Sequence, residues 1–142
     1  MAKQHQTRSY LTWMRRLTTA IALLLLTGCL LISGETTMID LQDGSGNLLT
    51  TFVGAEGQQE RILDVGLPAT ELQVIVIVGV ESGDLALSLL QPEGSVVFTV
   101  AARPDLQVTR SGSVRTNERG QLRYTVNAAA ARNGSYQIFV QP

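Results

Sequence analysis

Hydrophobic and polar residues alternate along much of the chain beyond residue 70. The period of two recurs in four segments, at 85–89, 96–100, 122–126 and 136–140. Because successive side chains of a strand point to opposite faces, this period predicts strands with one buried face. A helical period is nearly absent, and only residues 128–132 are expected to form a single helical turn.

Turn-forming residues separate the alternating segments at intervals of about 8 to 12 residues, a spacing typical of sandwiches and barrels. They include Asp43-Gly44, Gly66-Leu67-Pro68, Pro92-Glu93-Gly94 and Asn133-Gly134. We therefore predict an all-β fold. It should be an antiparallel, jelly-roll-like β-sandwich of about eight strands over residues 37–142.

One predicted strand departs from the alternation. In residues 72–80, LQVIVIVGV, alternate valines fill one face while Ile75 and Ile77 fill the other. Both faces of this strand are therefore apolar, and two interpretations remain open. A loop could shield the second face of a central strand, or the isoleucines could form an exposed patch that meets a partner.

The first 28 residues have the organisation of an export signal. Arg15-Arg16 precedes an apolar run at 17–26, and small residues follow. The tetrapeptide Leu26-Thr27-Gly28-Cys29 resembles the lipobox of bacterial lipoproteins. The resemblance implies a helical signal peptide over 1–28 that is cut before Cys29, and acyl chains such as palmitate on Cys29.

Two or three acyl chains exceed what stable membrane anchoring requires. We therefore expect an extracytoplasmic protein, lipid-anchored to a cell membrane or outer membrane through acylated Cys29. Residues 29–36 should form the lipidated tether and residues 37–142 the β-sandwich domain. One cysteine excludes an intramolecular disulfide, so the core must hold the fold.

Charge is distributed unevenly between the leader and the rest. Four of the eleven cations, Lys3, Arg8, Arg15 and Arg16, lie in the leader, and all twelve acids lie beyond Cys29. Seven cations against twelve acids leave the mature part at about −5. Nucleic-acid binding requires clustered positive charge, so we expect no nucleic-acid partner.

Catalytic side chains are scarce after processing. Lys3 and His5 are the only Lys and His, and both lie in the leader. With Cys29 acylated, the mature chain has no imidazole base and no thiolate or amine nucleophile. We therefore predict no enzyme, no cofactor and no metal site.

Carboxylates are the remaining reactive groups. Glu81 with Asp84, or Glu56 with Glu60, could form the acid pair of a glycoside hydrolase, which stays as an alternative. Residues 40–47 offer several oxygens to a hard cation. The same residues form a good hairpin turn, which we favour.

Four arginines, Arg110, Arg115, Arg119 and Arg123, lie within fourteen residues that hold one acid, Glu118. We expect them to decorate a hairpin. They could mark a solvated edge that deters aggregation. They could also contact a polyanion, such as anionic lipid headgroups or a wall polymer.

From residue 59 onward the pattern resembles the bacterial pre-peptidase C-terminal domain, a β-sandwich appended to secreted enzymes. The resemblance rests on Ser82-Gly83-Asp84-Leu85-Ala86-Leu87, on Pro92-Glu93-Gly94 and on Gly134-Ser135-Tyr136-Gln137-Ile138-Phe139-Val140. It implies a turn into a strand, a hairpin, and a Gly-x-Tyr that opens the last strand. It also implies a non-catalytic module that binds polysaccharide or protein.

The chain is therefore expected to be a non-enzymatic, lipid-anchored binding or accessory module of the cell envelope. An envelope protein and a polysaccharide both stay open as its ligand. Phe139 is the one remaining aromatic residue that alternates outward, so it could meet such a ligand. A structural or assembly subunit that uses the Ile75 and Ile77 face is the alternative.

Overall fold

The computed structural model describes residues 29–142, so the predicted signal peptide and its lipobox residues Leu26, Thr27 and Gly28 lie outside the described residues. The described residues form seven strands: β1 (Leu31–Ser33), β2 (Thr36–Gln42), β3 (Ser45–Asp64), β4 (Glu71–Leu90), β5 (Val96–Ala102), β6 (Val108–Arg115) and β7 (Gln121–Gln141). Every pair of neighbouring strands is antiparallel. The predicted all-β antiparallel class is confirmed.

The helical turn expected at 128–132 is wrong, because those residues belong to β7. Within residues 29–142 there is no helix of the length and hydrophobicity that a membrane span needs.

Three strands are long enough to run through both layers of a sandwich. β3 and β4 each contain 20 residues and β7 contains 21, and β7 lies between the other two. A straight strand of twelve residues spans about 40 Å. Yet the rings of Tyr124 and Tyr136, both on β7, have centroids 6.0 Å apart. β7 therefore folds back on itself, and its two halves face each other.

The three long strands bend at one end of the domain. The pairing register shifts between Ala55 and Gly57 on β3 and between Ser82 and Asp84 on β4. β7 passes the same end with a positive φ of 47° at Ala130. At both shifts the extra residue lies on β7, where two residues oppose Glu56 of β3 and two oppose Gly83 of β4. Because an inserted residue kinks a strand, this bulge lets one hydrogen-bonded sheet close into two layers.

The two layers have matching strand order. The first layer runs β2, the first half of β3, the second half of β7, the first half of β4, and β6. The second layer runs the second half of β3, the first half of β7, the second half of β4, and β5. β1 pairs with residues 54–56 of β3, at the bend. This is the predicted β-sandwich. It needs seven strands, because three of them are shared.

The core between the layers follows the predicted alternation. The inward side chains of the alternating segments are buried: Leu85, Leu87, Leu89, Phe98, Val100, Leu122, Tyr124, Val126, Tyr136, Ile138 and Val140. Val96 departs from the pattern and is 58% exposed, because the register of β4 with β5 shifts between Leu89 and Leu90, where Leu90 pairs with Val96.

The segment at 29–36 is part of the sheet rather than a free tether. Leu30 is buried in the core, β1 pairs with β3, and β2 already begins at Thr36. The carbonyl of Cys29 lies so close to Gly57 that a Cβ there would be 2.4 Å from its oxygen. The sandwich therefore begins directly after Cys29.

Arg61 joins the two layers along the side where β1 continues into β2. Its Nη1 donates a hydrogen bond of 2.9 Å to the hydroxyl of Tyr136 in the opposite layer. The guanidinium also forms an ion pair with Glu35, in which Nη2 lies 3.1 Å from Oε2. The hydrogen bond from Arg61 holds the pKa of the Glu35 carboxyl below its ordinary value. Burial, together with nearby Tyr136, raises the pKa of Tyr124.

Gly83→Ala tests the bend in β4. Gly83 has a φ of +77°, and a Cβ there would lie 2.2 Å from the carbonyl oxygen of Ala130. We expect a loss of about 1–2 kcal/mol from the left-handed backbone and about 1–3 kcal/mol more from the clash. Gly94→Ala is the matched control, since Gly94 has a φ of +97° with open space around it. Urea unfolding measures both variants, and equal losses would contradict the close approach of the two bends.

Glu35→Gln tests the ion pair between the layers. The pKa of Glu35 is lowered in the folded state, so its contribution to stability is present above the unfolded pKa. That contribution is lost as the pH falls through the folded pKa. The group is mostly exposed, so we expect less than about 1 kcal/mol. Unfolding across pH 3 to 6 should show a smaller acid-side decline in Glu35→Gln than in the parent. Glu118→Gln, at an exposed turn, should leave the decline unchanged.

Candidate functional site

The outer surface of the first layer is a regular array of side chains from five strands. Directly opposed residues on antiparallel strands point to the same side, so the pairing register defines three rows. The rows are Gln42, Ser45, Gln141, Gln73 and Ser113; Asp40, Asn47, Phe139, Ile75 and Ser111; and Met38, Leu49, Gln137, Ile77 and Thr109. We call these fifteen positions the amide face.

The centre of the amide face is apolar. Ile75 on β4 lies directly opposite Phe139 on β7, and Ile77 lies in the next row. Ile75 is 44% exposed, and Phe139 and Ile77 are half-buried. Among residues 29–142 no loop covers these side chains, so the expected shielding loop is absent from the described part of the chain. The sequence prediction that Ile75, Ile77 and Phe139 point outward is confirmed.

An amide rim surrounds this apolar centre. Gln137 donates from Nε2 to Oδ1 of Asn47 over 3.3 Å, and Gln73 donates from Nε2 to Oγ of Ser113 over 2.8 Å. Gln141 lies opposite Gln73. Each primary amide carries both donors and an acceptor, so the rim can pair with a ligand that offers either.

An open depression of about 570 Å³ lies over the centre and rim. Its lining residues are Ser45, Gly46, Asn47, Gln73, Ile75, Ile77, Phe139, Val140 and Gln141, none of them ionisable. Asp40, at the margin, is the single charged residue of the fifteen positions. The arrangement can hold an uncharged ligand against an apolar floor, but it offers an anionic ligand no counter-ion.

Sequence reasoning did not find the amide rim. Gln73, Gln137, Gln141 and Asn47 occupy the polar positions of alternating segments, which are read simply as solvent-facing. They meet only because β4, β7 and β3 are neighbours in that order. That pairing leaves no mark in a single sequence.

The four arginines between 110 and 123 do not share a hairpin, so that expectation is wrong. β6 pairs with β4, and β7 pairs with β3 and β4. The connection at 116–120 crosses from one layer to the other. It is held by the buried Thr116, whose hydroxyl donates to the carbonyl of Leu67 over 2.6 Å.

Two of these arginines have partners within the domain. The guanidinium of Arg110 lies 5.4 Å from the ring centroid of Phe98 and donates to the carbonyl of Thr99. Arg123 forms an ion pair with Glu60 over 2.6 Å. Arg115 and Arg119 are exposed. Contact of Arg110, Arg115, Arg119 and Arg123 with a polyanion stays a prediction.

The carboxylates considered for catalysis make structural contacts. Glu81 accepts a hydrogen bond of 2.5 Å from Asn133, and Glu56 accepts one of 2.5 Å from the backbone N–H of Ala130. Glu60 belongs to the ion pair with Arg123. Asp84 is exposed beside the bend of β4.

The segment at 40–47 forms the β2–β3 hairpin, as we favoured. Asp43 and Gly44 are the two turn residues between paired Gln42 and Ser45, and both have a positive φ, of 51° and 80°. No group of three or more His, Cys, Asp or Glu side chains within 29–142 is placed to hold a metal ion.

The segments that resemble the pre-peptidase C-terminal domain fall at distinct places. Residues 82–84 form the bend of β4, opposite the extra residue of β7. Residues 92–94 lie in the turn of the β4–β5 hairpin, where Gly94 donates to the carbonyl of Gln91. Gly134 and Tyr136 begin the second half of β7 rather than a separate strand.

Comparison with known proteins gives distant structural similarity alone. No protein-family model matches the chain, and no curated protein matches it either. A carbohydrate-binding module of a Cellvibrio mixtus lichenase, solved with cellotriose, is 16% identical over 79% of this chain and 89% of its own, with a TM-score of 0.38. A xylan-binding domain from Paenibacillus barcinonensis is 12% identical over 79% of this chain and 84% of its own, with a TM-score of 0.38. Similarity at this level identifies no ligand.

Proposed function

We propose that the protein is a lipid-anchored, extracytoplasmic binding module that holds an uncharged polysaccharide on the amide face. The observation that carries this proposal is the charge-free depression with Ile75 and Phe139 as its floor and amides as its rim. Sugar hydroxyls both donate and accept hydrogen bonds, as primary amides do. An apolar floor with a few convergent polar groups is the usual composition of a ligand site.

A neutral ligand fits the electrostatics of this surface. The fifteen positions carry a single charge, at Asp40, whereas the mature chain as a whole is acidic. A polyanion bound here would lose its water without gaining a partner charge, which is costly.

We also propose that the module is not an enzyme. A chain processed at Cys29 keeps no His, no Lys and no free thiol. The carboxylates of Glu56, Glu60 and Glu81 are held by structural hydrogen bonds or ion pairs. Such groups are poorly placed to act as a general acid and a nucleophile.

The proposed anchor and the amide face lie at different places on the sandwich. Cys29 is exposed beside Gln58 and Gln59, just beyond the bend of β3. The amide face uses residues 45–49 of β3, before that bend. Acyl chains on Cys29 would therefore leave the amide face uncovered.

A protein partner is the second candidate. The exposure of Ile75 at the centre of the face favours it, since contiguous exposed apolar side chains often mark protein interfaces. In that case the protein is an assembly subunit of an envelope complex. Photocross-linking from position 75 in cells would then yield one discrete protein adduct, whereas a polysaccharide ligand would yield none.

Ile75→Ser and Phe139→Ala test the amide face as a glycan site. Each removes part of the apolar floor, so we expect at least a tenfold loss of affinity, about 1.4 kcal/mol. Retardation in gels that contain neutral polysaccharides measures it. Ile62→Ser is the matched control, because Ile62 is 55% exposed on the outer surface of the second layer. Equal retardation of parent and Ile75→Ser, or equal loss in Ile62→Ser, would reject the site.

Cys29→Ser tests the anchor. The thiol is the acyl acceptor in the lipoprotein family that the lipobox resembles, so the variant should incorporate no radioactive fatty acid. It should also accumulate as an uncleaved precursor of higher mass. Ser33→Ala, which leaves the tetrapeptide intact, should label like the parent. Equal labelling of Cys29→Ser and the parent would refute the lipid anchor.

A further inference from the structure

The edge strand β2 has one partner. It pairs with β3 along all seven residues, Thr36–Gln42, and no strand within 29–142 lies on its other side. In an antiparallel strand every second residue directs its N–H and C=O toward one neighbour. The other residues of β2 therefore present their backbone groups to the outside. Such an edge is a ready template for a further strand.

The exposed edge of β2 carries none of the usual protective features. Met38 is 60% exposed and Ile39 is 58% exposed, and they point to opposite faces of the strand. Residues 36–42 contain no proline, no lysine and no arginine, and the pairing with β3 runs without a bulge. Asp40 is the one charge.

The opposite side of the sandwich is protected. There the edge strands β5 and β6 lie against each other across the two layers. Arg110 of β6 donates to the carbonyl of Thr99 on β5, over 3.3 Å, and covers the ring of Phe98. A charged side chain thus occupies a backbone acceptor of β5. The contrast indicates that the β2 edge is kept open.

We infer that β2 pairs antiparallel with β2 of a second copy of this chain, across a two-fold axis perpendicular to the first layer. This goes beyond the proposed function and does not depend on it. Pairing of all seven residues places Ile39, the midpoint of β2, opposite Ile39 of the second copy. Met38 then faces Asp40, and Thr37 faces Leu41.

The strand is complementary to itself in this register. No acid faces another acid, so no like-charge repulsion opposes the pair. Ile39 lies on the same side as its β3 partner Leu48, which is buried in the core. In the dimer, the two Ile39 side chains would therefore contact each other and cover the exposed margin of each core. The first layers would join into one ten-stranded sheet, with both amide faces on the same surface.

Cysteine cross-linking in intact membranes tests the register. Directly opposed residues of antiparallel strands have Cα atoms about 4.5–5.5 Å apart, within the range of a disulfide. Ile39→Cys should give a disulfide-linked homodimer under mild oxidation. Val96→Cys is the matched control, because Val96 is also 58% exposed on an edge strand. The parent, with Cys29 alone, controls for links through that residue.

Mass measurement of the full chain in detergent, by light scattering after gel filtration, gives the second test. The parent and Val96→Lys should have the mass of a dimer, and Ile39→Lys that of a monomer. If Ile39→Lys fails to fold by circular dichroism, the less disruptive Ile39→Cys variant still decides the question. A monomeric parent, equal cross-linking at positions 39 and 96, or a cross-linked product of another mass at position 39 would overturn the homodimer.

Discussion

The whole domain depends on the close approach of three strand bends at one end of the sandwich. Gly83 of β4 lies against the backbone of Ala129 and Ala130 on β7, so closely that a single Cβ would overlap a carbonyl oxygen. Glu56 of β3 accepts a hydrogen bond from the N–H of Ala130 at the same place. Because the bends are locked together, β3, β4 and β7 fold back in concert. Tyr124 is thereby brought onto Tyr136, although both belong to one strand.

Shared strands also fix which side chains enter the core. Before its bend, β4 buries the even-numbered residues Val74, Val76 and Val78, and after it the odd-numbered Leu85 and Leu87. The change of parity falls at Gly83, which has a positive φ and faces two residues of β7 across the bend. The bend therefore turns the strand, and an apolar face stays toward the interior on both sides of it.

This shift explains what the sequence could and could not predict. The alternation at 85–89, 122–126 and 136–140 predicted the buried residues correctly, because burial depends on the local period of two. The interruptions at 81–84 and 128–133 read as turns between separate strands, or as a helical turn, whereas they are bends within β4 and β7. A bend and a turn use the same residue types, so the count of about eight strands came out at seven.

Features that depend on pairing were beyond the sequence. The hairpin expected around Arg115 and Arg119 is a crossover between layers, because β6 and β7 each pair elsewhere. Leu30 is buried in the core. It lies close behind the apolar run of the leader, so composition alone does not show where the folded domain begins. The candidate site was found in part. Ile75 and Phe139 stood out as apolar residues on an outward face, but the surrounding amides did not.

The two outer surfaces of the sandwich differ in charge. The second layer carries the ion pair of Glu60 with Arg123 on its outside, whereas the first layer carries the nearly uncharged amide face. The inferred pairing of β2 with a second copy uses the backbone edge of the first layer and not its surface. A two-fold axis perpendicular to that layer would place both amide faces on one side of the dimer. The inferred edge contact and the proposed ligand site are therefore compatible, because the pairing of the β2 edges leaves both faces uncovered.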